Sequence, residues 1–272
     1  MKLTAQQIAD YDRTGYLHFP EFFSAAEVAA MRREVARVSR IDCEMVVREG
    51  SERNPKAMFR MHEKDGPTAS TVMYSAVRLP RTLGLAQQLL RDERLYLHHT
   101  KVNIKAAIEG SVWPWHQDYG SWANDGIARP DLLTIMVGLD PATEMNGCLY
   151  FLPGSHVHGR LDPYFDTSTA YKVWSVTPAD MKRMIAEHGE PVAITGKAGS
   201  LTVFHCNLMH ASGHNLSAND RWQAYFCYNT CANRPRDVEK PRPDWVRSRN
   251  WAPLETVSDD AILASASALA PA

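Results

Sequence analysis

The sequence has few of the features that mark secreted or membrane-spanning chains. It holds only five cysteines in 272 residues and no CxxC spacing, so neither a disulfide framework nor a structural zinc site is expected. Its first residues lack the apolar segment of a signal peptide. It also has no run of about eighteen apolar residues that could span a bilayer. We therefore expect a cytoplasmic protein.

An excess of charge of one sign is missing as well. Thirty basic and thirty-one acidic side chains give a net charge of −1. Such a balance provides no global attraction to nucleic acid or to an anionic membrane surface. We therefore expect neither partner, and the oligomeric state stays open.

Helix signals dominate the first 95 residues. The segment "TAQQIADYDRTG" predicts a helix that stops near Gly15. Ser24, with Glu27 three residues later, forms a capping-box pattern before a second helix. Residues 79–95 predict a further amphipathic helix. The segments "CEMVVREG" and "AMFRMHE" between them are typical of short strands.

From residue 96 the pattern changes to short β-branched or aromatic segments separated by turn residues. "EMNG" at 144–147 predicts a hairpin turn between two of these strands. A later insert carries a predicted helix at 178–188. Helices followed by many short antiparallel strands predict a mainly β fold with flanking helices, in which N-terminal helices support a sandwich or barrel core. The low-complexity end "ASASALAPA" predicts a flexible tail.

The stretch "WPWHQDYGSW" at 113–122 suggests the first chemical hypothesis. His116 and Asp118 are one residue apart, so on an extended strand both side chains point to the same face. A packed aromatic strand with a satisfied polar pair would give the same pattern. With a second histidine, the pair could form a 2-His-1-carboxylate site, which suits non-haem Fe(II) and leaves coordination positions open.

The second histidine has three candidates in "VFHCNLMHASGHN", namely His205, His210 and His214, and local composition does not choose among them. Arg221 follows His210 by eleven positions. Its planar guanidinium matches a carboxylate through two hydrogen bonds, as binding of a dicarboxylate would require. A solvent-exposed strand residue is the competing interpretation of Arg221.

Together, "WHQD", "NGCLYFLPGSH" and "MHASGHNLSANDR" resemble the phytanoyl-CoA dioxygenase family of Fe(II)/2-oxoglutarate-dependent oxygenases. The family pattern is HxD, a Pro-Gly-Ser-His segment, a distal His and an Arg eleven positions later. His116, Asp118, His210 and Arg221 match it, as does "LPGSH" at 152–156. The resemblance extends from "GYLHFPEFFS" to "PRPDWVRSR" and so covers most of the chain.

This resemblance implies a double-stranded β-helix, which is a cupin-like jelly roll. It implies one dioxygenase domain over residues 1–257, with helical support at 1–95 and the jelly-roll core at about 96–232. Residues 258–272 would then form the flexible tail.

The resemblance also implies roles for individual residues. His116, Asp118 and His210 would be the catalytic metal ligands, and Arg221 would bind the far carboxylate of 2-oxoglutarate. The other residues expected at the cosubstrate site are Ser212, Asn103, Lys105 and Thr134. A β-branched core position is an equally good interpretation of Thr134.

The segments "HQDYGSWANDG" and "PRPDWVRSR" are most similar to ectoine hydroxylase and to hydroxylases of free aliphatic amino acids. This similarity implies hydroxylation of an unactivated C–H bond in a small polar substrate, coupled to decarboxylation of 2-oxoglutarate. Related halogenases have a small residue in place of the carboxylate of Asp118, so this residue favours hydroxylation. The candidate substrate residues are Trp122, Tyr119, His99, Lys101 and Arg249.

Three alternatives remain open from the sequence. The substrate could be a natural product or an acyl-CoA or lipid molecule, although no basic run suited to a CoA diphosphate is evident. The fold could be a jelly roll that binds a small ligand without catalysis. A hydrolytic zinc enzyme could use the same ligands, but would leave Arg221 without a purpose. The carbon attacked, and desaturation or cyclisation instead of hydroxylation, are not fixed by residue identity.

Overall fold

The structure is a computed structural model that describes residues 1–269. In this part of the chain the α-helices are α1 (Ala5–Thr14), α2 (Ala25–Val38), α3 (Thr71–Ala76), α4 (Pro80–Leu90), α5 (Asp118–Trp122), α6 (Pro178–His188) and α7 (Ala261–Ala268). The strands are β1 (Tyr16–Phe19), β2 (Val46–Glu49), β3 (Asn54–Phe59), β4 (Leu95–Lys105), β5 (Trp113–His116), β6 (Leu132–Gly138), β7 (Leu149–Phe151), β8 (Tyr164–Asp166), β9 (Val173–Ser175), β10 (Val192–Ile194), β11 (Leu201–His205), β12 (His210–Ser212) and β13 (Arg221–Thr230). None of these helices combines the length and apolar character that crossing a membrane requires.

The strands form two antiparallel sheets. The larger sheet has the order β1-β11-β6-β13-β4-β3-β2, and the smaller one has the order β10-β7-β12-β5-β9-β8. The segment at 1–95 therefore supplies three strands to the larger sheet in addition to its supporting helices. An apolar cluster that includes Met136 of the larger sheet and Phe151 of the smaller one packs between them.

Strand β6 shows how alternation separates the two faces of the larger sheet. Ile135 and Val137 pack in the main apolar cluster with Met31 of α2 and Leu83 of α4. Met136, between them, joins the cluster against the smaller sheet. Because successive strand residues point to opposite faces, the helices cover one face while the other lines the interior of the barrel.

The cap residues predicted for the first two helices are confirmed. Gly15 ends α1 with φ of 83°, a left-handed conformation that glycine adopts at low cost. The Ser24 side chain accepts a hydrogen bond from the backbone N–H of Glu27, whose carboxylate accepts one from the backbone N–H of Ser24. The helix expected at 79–95 is shorter, because Arg91 ends α4 with a left-handed backbone and Leu95 already begins β4.

The expectation of one extended strand through His116 and Asp118 is wrong. Strand β5 ends at His116, and Asp118 is the first residue of the short helix α5. An acidic side chain is favoured in the first turn of a helix, where the backbone N–H groups lack partners. The chain therefore bends between the two residues. This bend, and not the alternation of a strand, brings their side chains together.

The turn at 144–147 is present but does not form a hairpin. The backbone N–H of Gly147 donates to the Glu144 carbonyl, and Gly147 has a φ of 73°. The strands on either side belong to different sheets, since β6 lies in the larger sheet and β7 in the smaller one. The predicted helix at 178–188 coincides with α6.

The end of the chain differs from the flexible tail expected at 258–272. Helix α7 covers Ala261–Ala268, and the side chain of Ile262 is fully buried in the main apolar cluster. The Ser265 hydroxyl lies 2.9 Å from the Ser75 hydroxyl of α3. Small alanine and serine side chains allow this close packing against α3. Residues 270–272 lie outside the described part of the chain.

We expect Ile262→Ala to lower the free energy of unfolding by about 2–4 kcal/mol, because it leaves a cavity in the main apolar cluster. Leu263→Ala is the matched control, since Leu263 is 39% exposed on the same helix. Urea denaturation followed by circular dichroism measures both variants. Equal and small losses in the two variants would show that α7 does not contribute to the stability of the core.

Candidate active site

His116, Asp118 and His210 meet inside the barrel. Strands β5 and β12 are neighbours in the smaller sheet, and His116 pairs directly with His210 across them. The two imidazole centroids are 4.1 Å apart. One carboxylate oxygen of Asp118, Oδ1, lies 3.8 Å from the Nε2 atom of each histidine.

Hydrogen bonds orient all three side chains so that one potential metal-ligand atom of each points inward. His116 Nδ1 lies 2.7 Å from the Pro114 carbonyl oxygen, and His210 Nδ1 lies 2.9 Å from the Leu208 carbonyl oxygen. A carbonyl can only accept, so each Nδ1 carries the proton and each Nε2 keeps a free lone pair. The other oxygen of Asp118, Oδ2, accepts a hydrogen bond of 3.0 Å from the Thr134 hydroxyl.

Burial keeps the imidazoles neutral, whereas neighbouring groups keep the carboxylate charged. It lowers the pKa of His116 to about 3 and also lowers the pKa of His210. Burial alone would raise the pKa of Asp118. The two histidines, Lys101 and the Thr134 hydroxyl together outweigh that effect and hold this pKa below its ordinary value. Two neutral imidazoles and one carboxylate are the donor set that suits Fe(II), and three ligands leave coordination positions open.

The structure shows which of the three candidate histidines between residues 205 and 214 lies beside His116 and Asp118. His205 accepts a hydrogen bond from the backbone N–H of Asn207 and packs against His156 instead. His214 is exposed in the loop after β12. Of the three candidates, only His210 lies in the cluster with His116 and Asp118.

Two adjoining hollows open onto this cluster. Both include His99, Lys101, Trp113, His116 and Asp118. The first is completed mainly by residues of the two sheets: Asn103, Thr134, Leu149, Phe204, His210, Tyr225 and Cys227. The second is completed mainly by helix α5 and loop residues: Ser121, Trp122, Tyr171, Val173 and Arg242.

A cross-strand ladder of polar residues crosses the inner face of the larger sheet. In the pairing of β4 with β13, the opposed residues are Lys105 and Arg221, Asn103 and Gln223, Lys101 and Tyr225, and His99 and Cys227. Thr134 of β6 pairs with Cys227 at one end of this ladder. The ladder therefore runs from the Thr134 end, beside Asp118, to a pair of basic residues at the other end.

Arg221 is buried at that far end without a carboxylate partner among residues 1–269. One of its terminal nitrogens donates to the Gln223 side chain and the other to the Gly147 carbonyl oxygen at 2.9 Å. Its Nε has no hydrogen-bond partner among the described residues, and the same holds for the Ser212 hydroxyl and Asn103 Oδ1. A buried guanidinium in neutral surroundings is costly unless an anion pairs with it.

Lys105 adds a second basic group beside Arg221. Its ammonium donates to the carbonyls of Ser111, at 3.0 Å, and Gly213. Burial, together with the charges of Arg221 and Lys56, lowers the pKa of Lys105 to about 6. Like charges placed opposite each other on paired strands repel. A dianionic cosubstrate such as 2-oxoglutarate fits this end of the barrel, since its carboxylate would compensate both groups.

The candidate substrate residues separate into two groups. Trp122 is buried against His99, at a centroid distance of 5.5 Å, and lines the second hollow, as do His99 and Lys101. Tyr119 instead donates its hydroxyl to the Ile127 carbonyl at 3.1 Å and lines neither hollow. Arg249 is exposed, pairs with Asp244 at 2.7 Å and borders a separate surface hollow. The structure therefore brings three of the five candidates to the cluster.

Sequence patterns did not identify several residues of the site. Tyr225 and Cys227 line the first hollow, and Gln223 accepts a hydrogen bond from Arg221. All three follow Arg221 at alternate positions of β13, so the two-residue period of a strand places them on the same face as Arg221. Arg242 and Tyr171 lie in segments without a periodic pattern, and no local signal marks them.

Comparison with known proteins agrees with this geometry. A model of the phytanoyl-CoA dioxygenase (PhyH) family matches residues 11–222. Ectoine dioxygenase from Sphingopyxis alaskensis is 32% identical over 265 residues, covering 92% of this chain and 84% of that protein. L-proline trans-4-hydroxylase from Streptomyces griseoviridis is 33% identical over 261 residues, covering 92% of this chain and 94% of that protein.

Solved structures show the same similarity in three dimensions. A crystal structure of EctD from S. alaskensis with 2-oxoglutarate and 5-hydroxyectoine has a TM-score of 0.81 and 30% identity, covering 94% of this chain and 88% of that chain. EctD with bound Fe has a TM-score of 0.77 and 29% identity over the same shares of the two chains. The expected jelly-roll core with flanking helices is confirmed.

Proposed function

The chain belongs to the phytanoyl-CoA dioxygenase family and is an iron- and 2-oxoglutarate-dependent dioxygenase; from this premise we propose that it hydroxylates an unactivated C–H bond of a free amino acid or a small derivative. In this proposal His116, Asp118 and His210 bind the iron. The observation that carries it is the convergence of two unprotonated Nε2 atoms on one carboxylate oxygen, at 3.8 Å from each.

Arg221 binds the far carboxylate of 2-oxoglutarate in this proposal. Its buried guanidinium and its free Nε provide the charge and a donor. The Ser212 hydroxyl and Asn103 are further polar groups for the cosubstrate. Lys105 is a second basic group on the opposite strand, and a bound carboxylate would favour its charged form.

When bound, iron and 2-oxoglutarate supply the oxidising chemistry, and the chain positions the reactants and limits water. Thr134 fixes one oxygen of Asp118 and leaves the other free for the metal. The Pro114 and Leu208 carbonyls keep the two imidazoles in one tautomer. The apolar side chains of Leu149 and Phe204 exclude water from the first hollow.

Lys101 is the residue that favours a substrate with a carboxylate. Its ammonium lies 4.4 Å from the centre of the Trp113 ring and 5.3 Å from that of Tyr225. Within residues 1–269 it forms no ion pair of 4.0 Å or less. Burial lowers the pKa of Lys101, and a bound carboxylate would raise it again.

Distance along β4 separates Lys101 from the cosubstrate end. Lys105 is four residues away, or about 13 Å at the rise of a strand. Lys101 instead borders both hollows beside Asp118. Among the neighbouring cations, Arg242 is already paired with Asp125 at 2.6 Å. Lys101 is therefore the better group for a substrate carboxylate.

The names of the relatives, ectoine dioxygenase and L-proline trans-4-hydroxylase, support a small amino acid or derivative as the substrate class. Trp122 and His99 would then contact the body of the substrate. No feature of the two hollows favours an acyl-CoA or lipid substrate over this class. A cytoplasmic location stays a prediction from the cysteine pattern.

We expect His116→Ala and Asp118→Ala to reduce substrate-dependent succinate release below about 1% of the wild-type rate, because loss of the metal removes its several kcal/mol of stabilisation. The assay uses a panel of free amino acids and derivatives that includes L-proline and ectoine, and begins with wild type. His214→Ala is the control, since this exposed histidine lies outside the cluster. Full turnover by either ligand variant would refute the metal assignment.

Arg221→Lys should weaken 2-oxoglutarate binding by about 30-fold or more, because lysine keeps the charge but loses the bidentate geometry. Anaerobic calorimetric titration of iron-loaded protein measures the affinity, and circular dichroism checks the fold. Arg129→Lys is the matched surface control, since Arg129 is exposed and pairs with Asp131. An unchanged affinity in Arg221→Lys would mean that another residue holds this carboxylate.

Lys101→Met should raise the KM for an amino-acid substrate about 10-fold or more and change the KM for 2-oxoglutarate by less than about threefold, because a charge-assisted contact contributes about 1.5–3 kcal/mol. Lys101→Arg should recover part of the loss. Wild type should also prefer the substrate acid to its amide, and Lys101→Met should lose that preference. A rise in the KM for 2-oxoglutarate alone would assign Lys101 to the cosubstrate instead.

A further inference from the structure

A second cluster of metal-ligating side chains lies on the surface, outside both hollows. It consists of His158, Glu187 and His188, and their ligand atoms lie within 4.8 Å of one another. The Nε2 atoms of the two histidines are 2.7 Å apart. One carboxylate oxygen of Glu187, Oε2, lies 3.4 Å from His158 Nε2.

The three residues of the cluster come from two separate segments of the chain. His158 ends the short 3-10 turn Ser155–His158, while Glu187 and His188 form the last two residues of α6. The carbonyl end of a helix carries a partial negative charge and favours a cation. The remaining oxygen of Glu187, Oε1, faces Arg183 at 3.7 Å, so Oε2 is the oxygen left for a metal.

We propose that His158, Glu187 and His188 form a binding site for a divalent cation of the zinc class. Two imidazole nitrogens and one carboxylate oxygen are ligands that Zn²⁺ accepts in tetrahedral geometry, with water in the fourth position. The ligands are partly exposed, so the cation exchanges with solvent. This site does not depend on the function proposed for the barrel.

A cation here connects α6 to a segment that supports the barrel cluster. Directly after His158, the Gly159 carbonyl accepts a hydrogen bond of 2.7 Å from the Gln117 side chain. The same side chain accepts one of 2.9 Å from the backbone N–H of Leu161. Gln117 lies between His116 and Asp118 in the chain. Occupation of the surface site therefore holds α6 against the segment on which Gln117 rests.

Calorimetric titration with Zn²⁺ tests the site in a protein whose barrel cluster is broken. Asp118→Ala should bind one Zn²⁺ at the surface site. Adding His188→Ala should weaken that binding by about tenfold to a hundredfold or more. Adding Glu190→Gln instead should leave it unchanged, since Glu190 is a nearby exposed acid outside the cluster. Zn²⁺ should raise the thermal midpoint of Asp118→Ala by several degrees and that of the His188 double variant by much less.

Three results would overturn the proposal. The first is no Zn²⁺ binding by Asp118→Ala at 100-fold excess over protein. The second is binding that His188→Ala leaves unchanged, which would locate the cation elsewhere. The third is an equal loss in the Glu190→Gln control, which would indicate a general charge effect. Each result is independent of activity, so failure here leaves the dioxygenase assignment intact.

Discussion

The pairing of His116 with His210 across β5 and β12 is the constraint on which the rest of the site depends. Two histidines about a hundred residues apart in the chain become cross-strand neighbours, and the backbone carbonyls of Pro114 and Leu208 set their tautomers. A slip of one residue in this register would turn one imidazole to the other face of the sheet. The sheet thereby fixes two of the three ligand positions, and the bend after β5 supplies Asp118.

Within residues 1–269, basic side chains that lack a carboxylate partner are concentrated on the inner face of the larger sheet. Arg221 and Lys105 are buried on the inner face and Lys101 is half-buried there, whereas Asp118 is the acid that borders both hollows. Burial lowers the pKa of Lys105 to about 6 and also lowers the pKa of Lys101, because their charged forms are poorly solvated there. A metal cation would add to the positive charge. The carboxylates of 2-oxoglutarate would offset it, and the substrate carboxylate proposed beside Lys101 would do the same.

The sequence was sufficient for the fold class, but not for the path of the chain through the site. The family resemblance singled out His116, Asp118 and His210, and the structure brings these three side chains together. Strand pairing is not encoded locally, so the turn at 144–147 was assigned to a hairpin although it connects two sheets. The helix beginning at Asp118 and the packing of α7 depend on tertiary contacts that periodicity does not contain. Roles of individual residues beyond their placement stay predictions.

The wall opposite the metal ligands is assembled by a buried ion pair between distant segments. A bulge in β4 inserts His98 beside His99, so that both imidazoles lie next to the second hollow. His98 contacts Asp125 at 3.1 Å, and Asp125 pairs with Arg242 from the C-terminal segment. Arg242 in turn stands beside Tyr171 of the insert in that hollow. The three proposed metal ligands lie on β5, β12 and the first turn of α5. Loops joined by Asp125 and Arg242 shape the second hollow instead. Because loops change more readily than the strands that support them, we expect changes of substrate to arise in these loops rather than at the proposed ligands.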